Sequence, residues 1–429
     1  MLRIFSKFVV FVVFMFLIKQ HHSVIPSLFF YIFTLNTFTI AAHTYLLETS
    51  IDSVNKKLWN QLQHGQDCFL SIAYLTAIEQ GFSKELDFCY VIVLDTLTSK
   101  PLLLASFQLV PFVFKGDSQP PKIVRQCSQK SDGFFMLNML VCGSVFMAGE
   151  HGFIKSNTIN NKTAFSLAEK AMSKAYKALR KGISKKISVQ LFKEYAPQTI
   201  SSSSYLLQKG YQDFEIDMYM SLPIAPSWNS IEAYFDTCKA KFRTKAKSVF
   251  TKAATLCITS FTEAEILAHQ QTIDTLFLQV LGKSEYQFGV MNAVGFALLK
   301  RHLGSQFIFR AVLLEDRLVG FSTSFINQTA LEANFVGIDY DQNIKYAIYQ
   351  RLLYDYVSLA IDNNLEVLNY GRTSELLKSS LGAVAIPMKL YAKHTSKITH
   401  LLMCSTLKKV SPTPFELRKP FKAVYYKNQ

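Results

Sequence analysis

The residues from Phe307 to Ala383 alternate element types in an order that few folds accommodate. FIFRAVLLEDRLVGFSTSFI reads as two β-rich runs about a turn at Glu315-Asp316, and the run after Ala333 as a further apolar strand. DQNIKYAIYQRLLYDYVSLAI has the spacing of a long amphipathic helix. A short strand ending at Tyr370 follows, then the helix SELLKSS, then the strand IPMKLYAK. Hairpin, strand, helix, strand, helix, strand predicts an α/β (α+β) layer, a sheet covered by helices.

A weaker copy of the same order lies between Tyr90 and Leu222. YVIVLDTLTSKPLLLASFQLV reads as a hairpin turning at Thr96 to Lys100, and FFMLNMLVCG as a buried strand. In TAFSLAEKAMSKAYKALRKG, Phe165, Ala168, Met172, Ala175 and Leu179 share one helical face, and Gly182 follows the basic last turn. SVQLF, SSSYLLQK, Gly210 and FEIDMYMSL complete it as strand, helix, cap and strand. Two copies at this separation predict a duplicated domain rather than a short-period solenoid. A chain of 429 residues is long enough for two cores. The expected divisions are a hydrophobic segment 1–42, a first domain 43–225 and a second domain 226–429, with the boundary at the prolines of 223–228. Lys115 to Asp132 reads as a polar surface loop.

A hydrophobic share of 49% against 18% charged residues excludes a disordered chain. The 7 cysteines, an odd number without a CxxC pair, point to a reducing, cytoplasmic compartment, and Cys142 and Cys404 read as small buried hydrophobes. No His or Cys cluster has metal-ligand spacing, so no metal is expected. The N-terminus pulls the other way. Arg3 and Lys7 precede FVVFVVFMFLI, and a second apolar stretch runs from Val24 to Ala42. The first run is shorter than the roughly 20 residues of a comfortable membrane span. Membrane anchor, secretory signal and mis-assigned start all fit it. The formal net charge of +15 favours anionic partners. It concentrates in Lys170 to Lys186 and in Lys239, Lys241, Arg243, Lys245, Lys247 and Lys252, which read either as solvated helix faces or as phosphate- or RNA-contacting surfaces.

Three stretches carry a family likeness: FVGIDYDQNIKYAIYQRLLYDYVSLAI, NYGRTSELLKSSLGA and VCGSVFMAGEHGF. They resemble the GNAT superfamily of acyltransferases, and more narrowly the FemAB-like bacterial proteins that carry two GNAT-type domains in one chain. The resemblance spans about Leu46 to Tyr426. It implies two tandem domains, each a mixed, mostly antiparallel sheet flanked by helices. It also implies an N-acyltransferase or aminoacyltransferase moving an acetyl or aminoacyl group onto an amine by direct attack.

In that family a central strand splays from its neighbour and pairs with the pantetheine arm of acyl-CoA. A glycine-bearing loop then offers amides to the pyrophosphate at a helix N-terminus. The second copy departs from this pattern: DYDQNIKYA has no glycine there, and Asp339 and Asp341 repel a pyrophosphate. A comparable loss in Fem-type peptidoglycan enzymes accompanies an aminoacyl-tRNA donor, which the basic helices suit. The implied donors are therefore acyl-CoA, chiefly acetyl-CoA, or aminoacyl-tRNA. The acceptor is a small-molecule or cell-envelope amine, and the N-terminus is the point of any membrane association. A catalytically silent GNAT-fold protein that binds a metabolite or partner is the alternative.

Candidate residues follow. Gly143, Gly149 and Gly152 form the glycine-rich loop of the first copy, with Glu150 or His151 as base; the plainer reading is a turn whose histidine packs. Lys345 is the cofactor-side cation of the second copy, and Tyr340 a proton donor to the leaving group. Arg372, just past a strand end, is placed to clamp an anionic group, or to pair with Asp339 or Asp341. Asp339, Glu375 and Lys378 are acceptor-binding candidates, although Glu375 and Lys378 at i,i+3 also suit each other.

Overall fold

The computed structural model describes residues 38–40, 42–114, 135–182, 186–282, 286–288 and 290–427. The apolar run 8–18, most of the second apolar stretch and the surface loop expected at 115–132 lie outside the described residues. Among the described residues no helix is long and apolar enough to cross a membrane.

The first half supplies β1 (Phe38–Ile40), β2 (His43–Glu48), β3 (Asp87–Asp95), β4 (Pro101–Phe114), β5 (Phe135–Cys142), β6 (Phe153–Lys155), β7 (Ile187–Tyr195), β8 (Gln212–Phe214) and β9 (Tyr219–Pro223). From the second half come β10 (Cys257–Ser260), β11 (Tyr286–Phe288), β12 (Phe307–Leu314), β13 (Arg317–Asn327), β14 (Ala330–Ile338), β15 (Val367–Gly371), β16 (Val384–Ile386) and β17 (Lys389–His394). They form two mixed sheets. The first runs β1-β2-β3-β4-β5-β7-β17-β8, with β6 and β11 also paired to β4; the second runs β10-β12-β13-β14-β15-β9-β16.

The duplication is visible in the ladders. Each sheet is antiparallel except for one parallel pair, β5 with β7 and β14 with β15, and a long helix joins the members of each pair. Those helices are Asn161–Gly182, which forms where the apolar spacing predicts it, and Ile348–Asp362; the run expected as one helix from Asp341 breaks at Ala347 (φ 52°) into Tyr340–Tyr346 and Ile348–Asp362. The first buries Phe165, Ala168, Met172, Ala175 and Leu179, and the second Ile348, Leu352, Tyr356 and Ala360. The β12–β13 hairpin turns at Glu315 and Asp316, both with positive φ, as a two-residue turn matching strand twist requires.

One departure from the expected elements shapes the whole molecule. FEIDMYMSL and IPMKLYAK each read as one strand, yet each is two short strands in different sheets. The first divides into β8, in the first sheet, and β9, in the second; the second divides into β16 and β17. β8 pairs antiparallel with β17 (Leu390↔Phe214), and β9 with β16 (Ala385↔Met220). A two-stranded ribbon therefore crosses from one sheet to the other. β17 lies between β7 and β8, and β9 between β15 and β16, so each half lends an interior strand to its neighbour's sheet.

Residues 43–225 and 226–429 expressed separately should each be insoluble or molten, and co-expression should restore a soluble complex. A well-dispersed amide spectrum from either half alone would show that its sheet closes without the borrowed strand.

Candidate functional site

The parallel ladder between β14 and β15 is short. Pairing runs Ala330↔Val367, Leu331↔Leu368 and Glu332↔Asn369, and stops there, while β14 continues to Ile338. Beyond Glu332 the two strands part. At the apex Glu332 is buried and holds three strands together. Its Oε1 accepts from Asn369 Nδ2 (2.7 Å) and its Oε2 from the Tyr219 hydroxyl (2.9 Å) of β9, while Ser221 Oγ donates to Asn369 Oδ1 (2.8 Å). Burial pushes the Glu332 carboxyl up from its ordinary value. On the β15 side the chain turns away through Gly371, Thr373 and Ser374, with φ of 67°, 68° and 55°. Left-handed geometry at a threonine and a serine costs on the order of 1–3 kcal/mol each, strain of the kind that collects at binding sites.

The wedge opens onto the inner face of the first sheet, and the space between them is a cavity of about 410 Å³. Ala333, Asn334, Phe335 and Val336 of β14 form one wall, and Tyr370 to Thr373 another. Tyr349, Leu353 and Tyr356 of the Ile348–Asp362 helix also line it. Among its polar lining groups are Asp217, Asn334, Arg372, Thr373 and Lys378.

Lys378 is the unusual member. It is 4% exposed, and its Nζ donates to the carbonyls of Tyr370 (2.8 Å) and Arg372 (2.6 Å). Burial pushes its ammonium down to about 7; Arg372 adds to that, while Glu375 and Asp217 oppose it. In the neutral amine, two N–H bonds satisfy the two carbonyls and a lone pair is left over.

Arg372 is tied to the other half of the molecule. Its Nη1 lies 3.0 Å from Glu194 Oε1, an ion pair without the angle of a hydrogen bond. Glu194 is 1% exposed, sits at φ 62° near the end of β7, and accepts at Oε2 from Gly149 N (2.6 Å) and Lys193 Nζ (2.8 Å). Lys193 also donates to the Met147 carbonyl. Burial works to raise the Glu194 carboxyl, but Arg372, Lys193 and the Gly149 amide outweigh it and hold it below the usual range. Burial likewise pulls Lys193 below the ordinary lysine value.

The expected site residues scatter around this centre. Arg372 and Lys378 line the cavity, and Glu375, on the short helix Glu375–Ser379, is half-buried beside Lys378. His151 lies between two acceptors: Nδ1 is 2.8 Å from Asp67 Oδ2 and Nε2 is 3.0 Å from the Ala148 carbonyl, with the ring against Phe69. Burial lowers its pKa, yet Asp67 prevails and the net shift is upward. An acceptor beside each ring nitrogen stabilises the protonated imidazolium. Glu150 is turned towards a separate polar hollow and accepts from the Ala196 amide and Thr199 Oγ1 (2.7 Å).

The glycines have structural reasons of their own. Gly143 and Gly149 take φ of 119° and 113°, and a Cβ on Gly152 would meet Cys142 Sγ at 2.8 Å. The loop amides are already used: Gly143 N on Ser106 O, Val145 N on Gln108 Oε1, Gly149 N on Glu194. In the second half, Asp339 caps the Tyr340–Tyr346 helix, accepting from Asp341 N and Gln342 N, and pairs with Arg317 rather than Arg372. Asn343 Oδ1 accepts the Tyr349 amide. Tyr340 packs beside the Val312 and Ile348 cluster, and Lys345 lies over the Tyr346 ring at 4.7 Å. The basic helix Ala240–Lys252 presents Lys241, Lys245 and Lys247 to solvent; Lys239 donates to Lys419 O, and Arg243 lies 4.0 Å from Asp236.

Glu194, Lys193, Asp217 and Glu332 escape the sequence reading. Lys193-Glu194 did carry one usable signal, a charged pair at the carboxyl end of an apolar parallel strand, where ligand crevices open.

No protein-family model matches the chain, and neither does any curated protein. Among solved structures it is similar to FemX (7% identity over 80% of this chain and 96% of that one, TM-score 0.48). It is also similar to a tandem GNAT protein from the clavulanic acid biosynthesis pathway (7% identity, 82% and 99%, TM-score 0.44). A third is the C-terminal domain of a putative lysylphosphatidylglycerol synthetase from Agrobacterium fabrum (10% identity, 82% and 95%, TM-score 0.44). At these identities the likeness concerns the fold.

Proposed function

We propose that this protein is an acyltransferase that moves an acyl group from a thioester or tRNA donor to an amine acceptor inside the cavity between its two sheets. The observation that carries the reading is the open wedge between β14 and β15 with a near-neutral Lys378 on its wall. Beyond Glu332 the β15-side edge of β14 lacks a partner strand among the described residues, so an extended donor arm can lie along it as an added strand does. The acceptor amine attacks the acyl carbonyl carbon, forming the C–N bond. Lys378, deprotonated, takes the proton that the nitrogen sheds. Arg372, aligned by Glu194, faces the oxyanion that develops. Collapse breaks the carbon–sulfur or carbon–oxygen bond, and the Lys378 ammonium returns its proton to the leaving group.

Two donors fit different parts of the molecule. The wedge suits a pantetheine-like arm, but the amides a pyrophosphate needs near residues 341–349 are taken by Asp339 and Asn343. The exposed lysines of the Ala240–Lys252 helix favour an anionic polymer such as tRNA. Those occupied amides also favour the second reading, a silent protein that binds a metabolite. The reading includes a cytoplasmic body with membrane attachment through the N-terminal segment.

The test is to incubate the folded protein with acetyl-CoA or charged tRNA and a panel of primary amines, following acyl-amine formation by mass spectrometry. Transfer from either donor, lost at pH well below 7, is the expected result. Saturable binding without transfer from any donor would establish the silent protein instead.

A further inference from the structure

The floor of the cavity is apolar. Leu137 and Met139 of β5, Val189 and Leu191 of β7, and Leu390 and Ala392 of β17 sit at alternate positions on three adjacent strands. They therefore share one face of the first sheet. Phe214, Ile216 and Met403 extend this surface, and Phe335 and Leu353 line the same space from the second half. Protein interiors close apolar space of this kind, because an unfilled void forfeits contacts on every side. About 410 Å³ left open among leucine, methionine, valine and phenylalanine side chains points to an apolar occupant. The charged lining groups, Arg372, Lys378 and Asp217, belong with Thr373 to the chain just past β15 and to the ribbon crossing, and Asn334 of β14 lines the same space. An occupant satisfying both has a long aliphatic body and one polar head.

We infer that the group transferred is a medium- or long-chain fatty acyl group, its hydrocarbon laid across β5, β7 and β17 and its carbonyl beside Arg372 and Lys378. The inference rests on the acyl-transfer reading and adds the substrate class to it. Ala392 is the smallest of the six floor side chains and the point at which the chamber can be filled with least change elsewhere. The borrowed strand β17 thereby supplies specificity as well as closing the sheet.

Calorimetric titration of the full chain with acetyl-, octanoyl- and myristoyl-CoA, and with free octanoate and myristate, tests this directly. Affinity should climb with chain length by up to about fourfold for each methylene buried. Ala392→Phe should weaken octanoyl and myristoyl binding at least tenfold, and by more than it weakens acetyl-CoA; Ala392→Leu, a milder filling, should shift the preference towards shorter chains. Thermal melting of both variants checks that they fold. Binding of free myristate as well as the thioester shows that the chain itself is held, while binding of the thioester alone places recognition in its head as well. Equal affinity for acetyl- and octanoyl-CoA, or no binding of any fatty acyl probe, overturns the inference. Acetyl transfer without chain-length dependence sinks it and leaves the acyltransferase reading standing. Chain-dependent binding without transfer to any amine does the reverse, keeping a fatty-chain site and removing the reaction.

Discussion

Lys378→Met should lower acyl transfer about a hundred- to ten-thousandfold, the range that a positioned general base supplies. Wild-type activity should rise with pH through about 7, as the buried amine loses its proton, and the variant's residual rate should lack that rise. Lys378→Arg should be equally inactive, because a guanidinium keeps its proton throughout this range.

Stability supplies an independent readout. The folded-state pKa of Lys378 lies well below the value of about 10.4 for a free lysine. Below pH 7 the lysine is protonated in both states, so the full cost of burying the charge is felt. Between about pH 7 and 10 the unfolded chain binds a proton that the folded one does not, so stability rises with pH. The melting temperature of the wild type should therefore gain on that of the methionine variant across that interval. A Lys378→Met enzyme that keeps transfer within threefold of wild type would remove the lysine from the mechanism.

Glu194→Gln should be the most destabilising isosteric change at the site. The carboxylate balances two cations, Lys193 and Arg372, and accepts the Gly149 amide, all around a side chain 1% exposed. Removing one member of a buried ionic group typically costs about 3–5 kcal/mol, since the remaining charge stays buried without its partner. Glu194 is held below the usual carboxylate range, so its contribution is present above about pH 4.3 and is lost as pH falls through its folded value. The gap between wild type and variant should accordingly close in acid. Because Arg372 reaches across from the second half, the change should also raise KM and show coupling to Arg372→Ala in a double-mutant cycle. A glutamine variant that melts with the wild type and couples to nothing would show that the clamp is incidental.

Much of the fold was legible because its signals are local. The Asn161–Gly182 helix announces itself by spacing, and the β12–β13 hairpin by a polar pair between apolar runs. Arg372 and Lys378 were legible as cavity-lining candidates because chain order places them just beyond a parallel strand. FEIDMYMSL misled for a physical reason: alternation tells that a strand has two faces, and says nothing about which sheet accepts it. A related limit applies to His151: its residue type suits a base, while its ring contacts with Asp67 and the Ala148 carbonyl are reached only by folding.

The sequence by itself determined the duplication, the helix faces, the strand-end loop and the element order apart from the divided strands, because periodicity and turn chemistry act over a few residues. Tertiary structure decided the exchange of β9 and β17, the pairing of Arg372 with Glu194 across 178 positions and the apolar chamber between the sheets. These depend on which distant backbone edges and charges meet once both cores close, and burial then sets the protonation of Lys378.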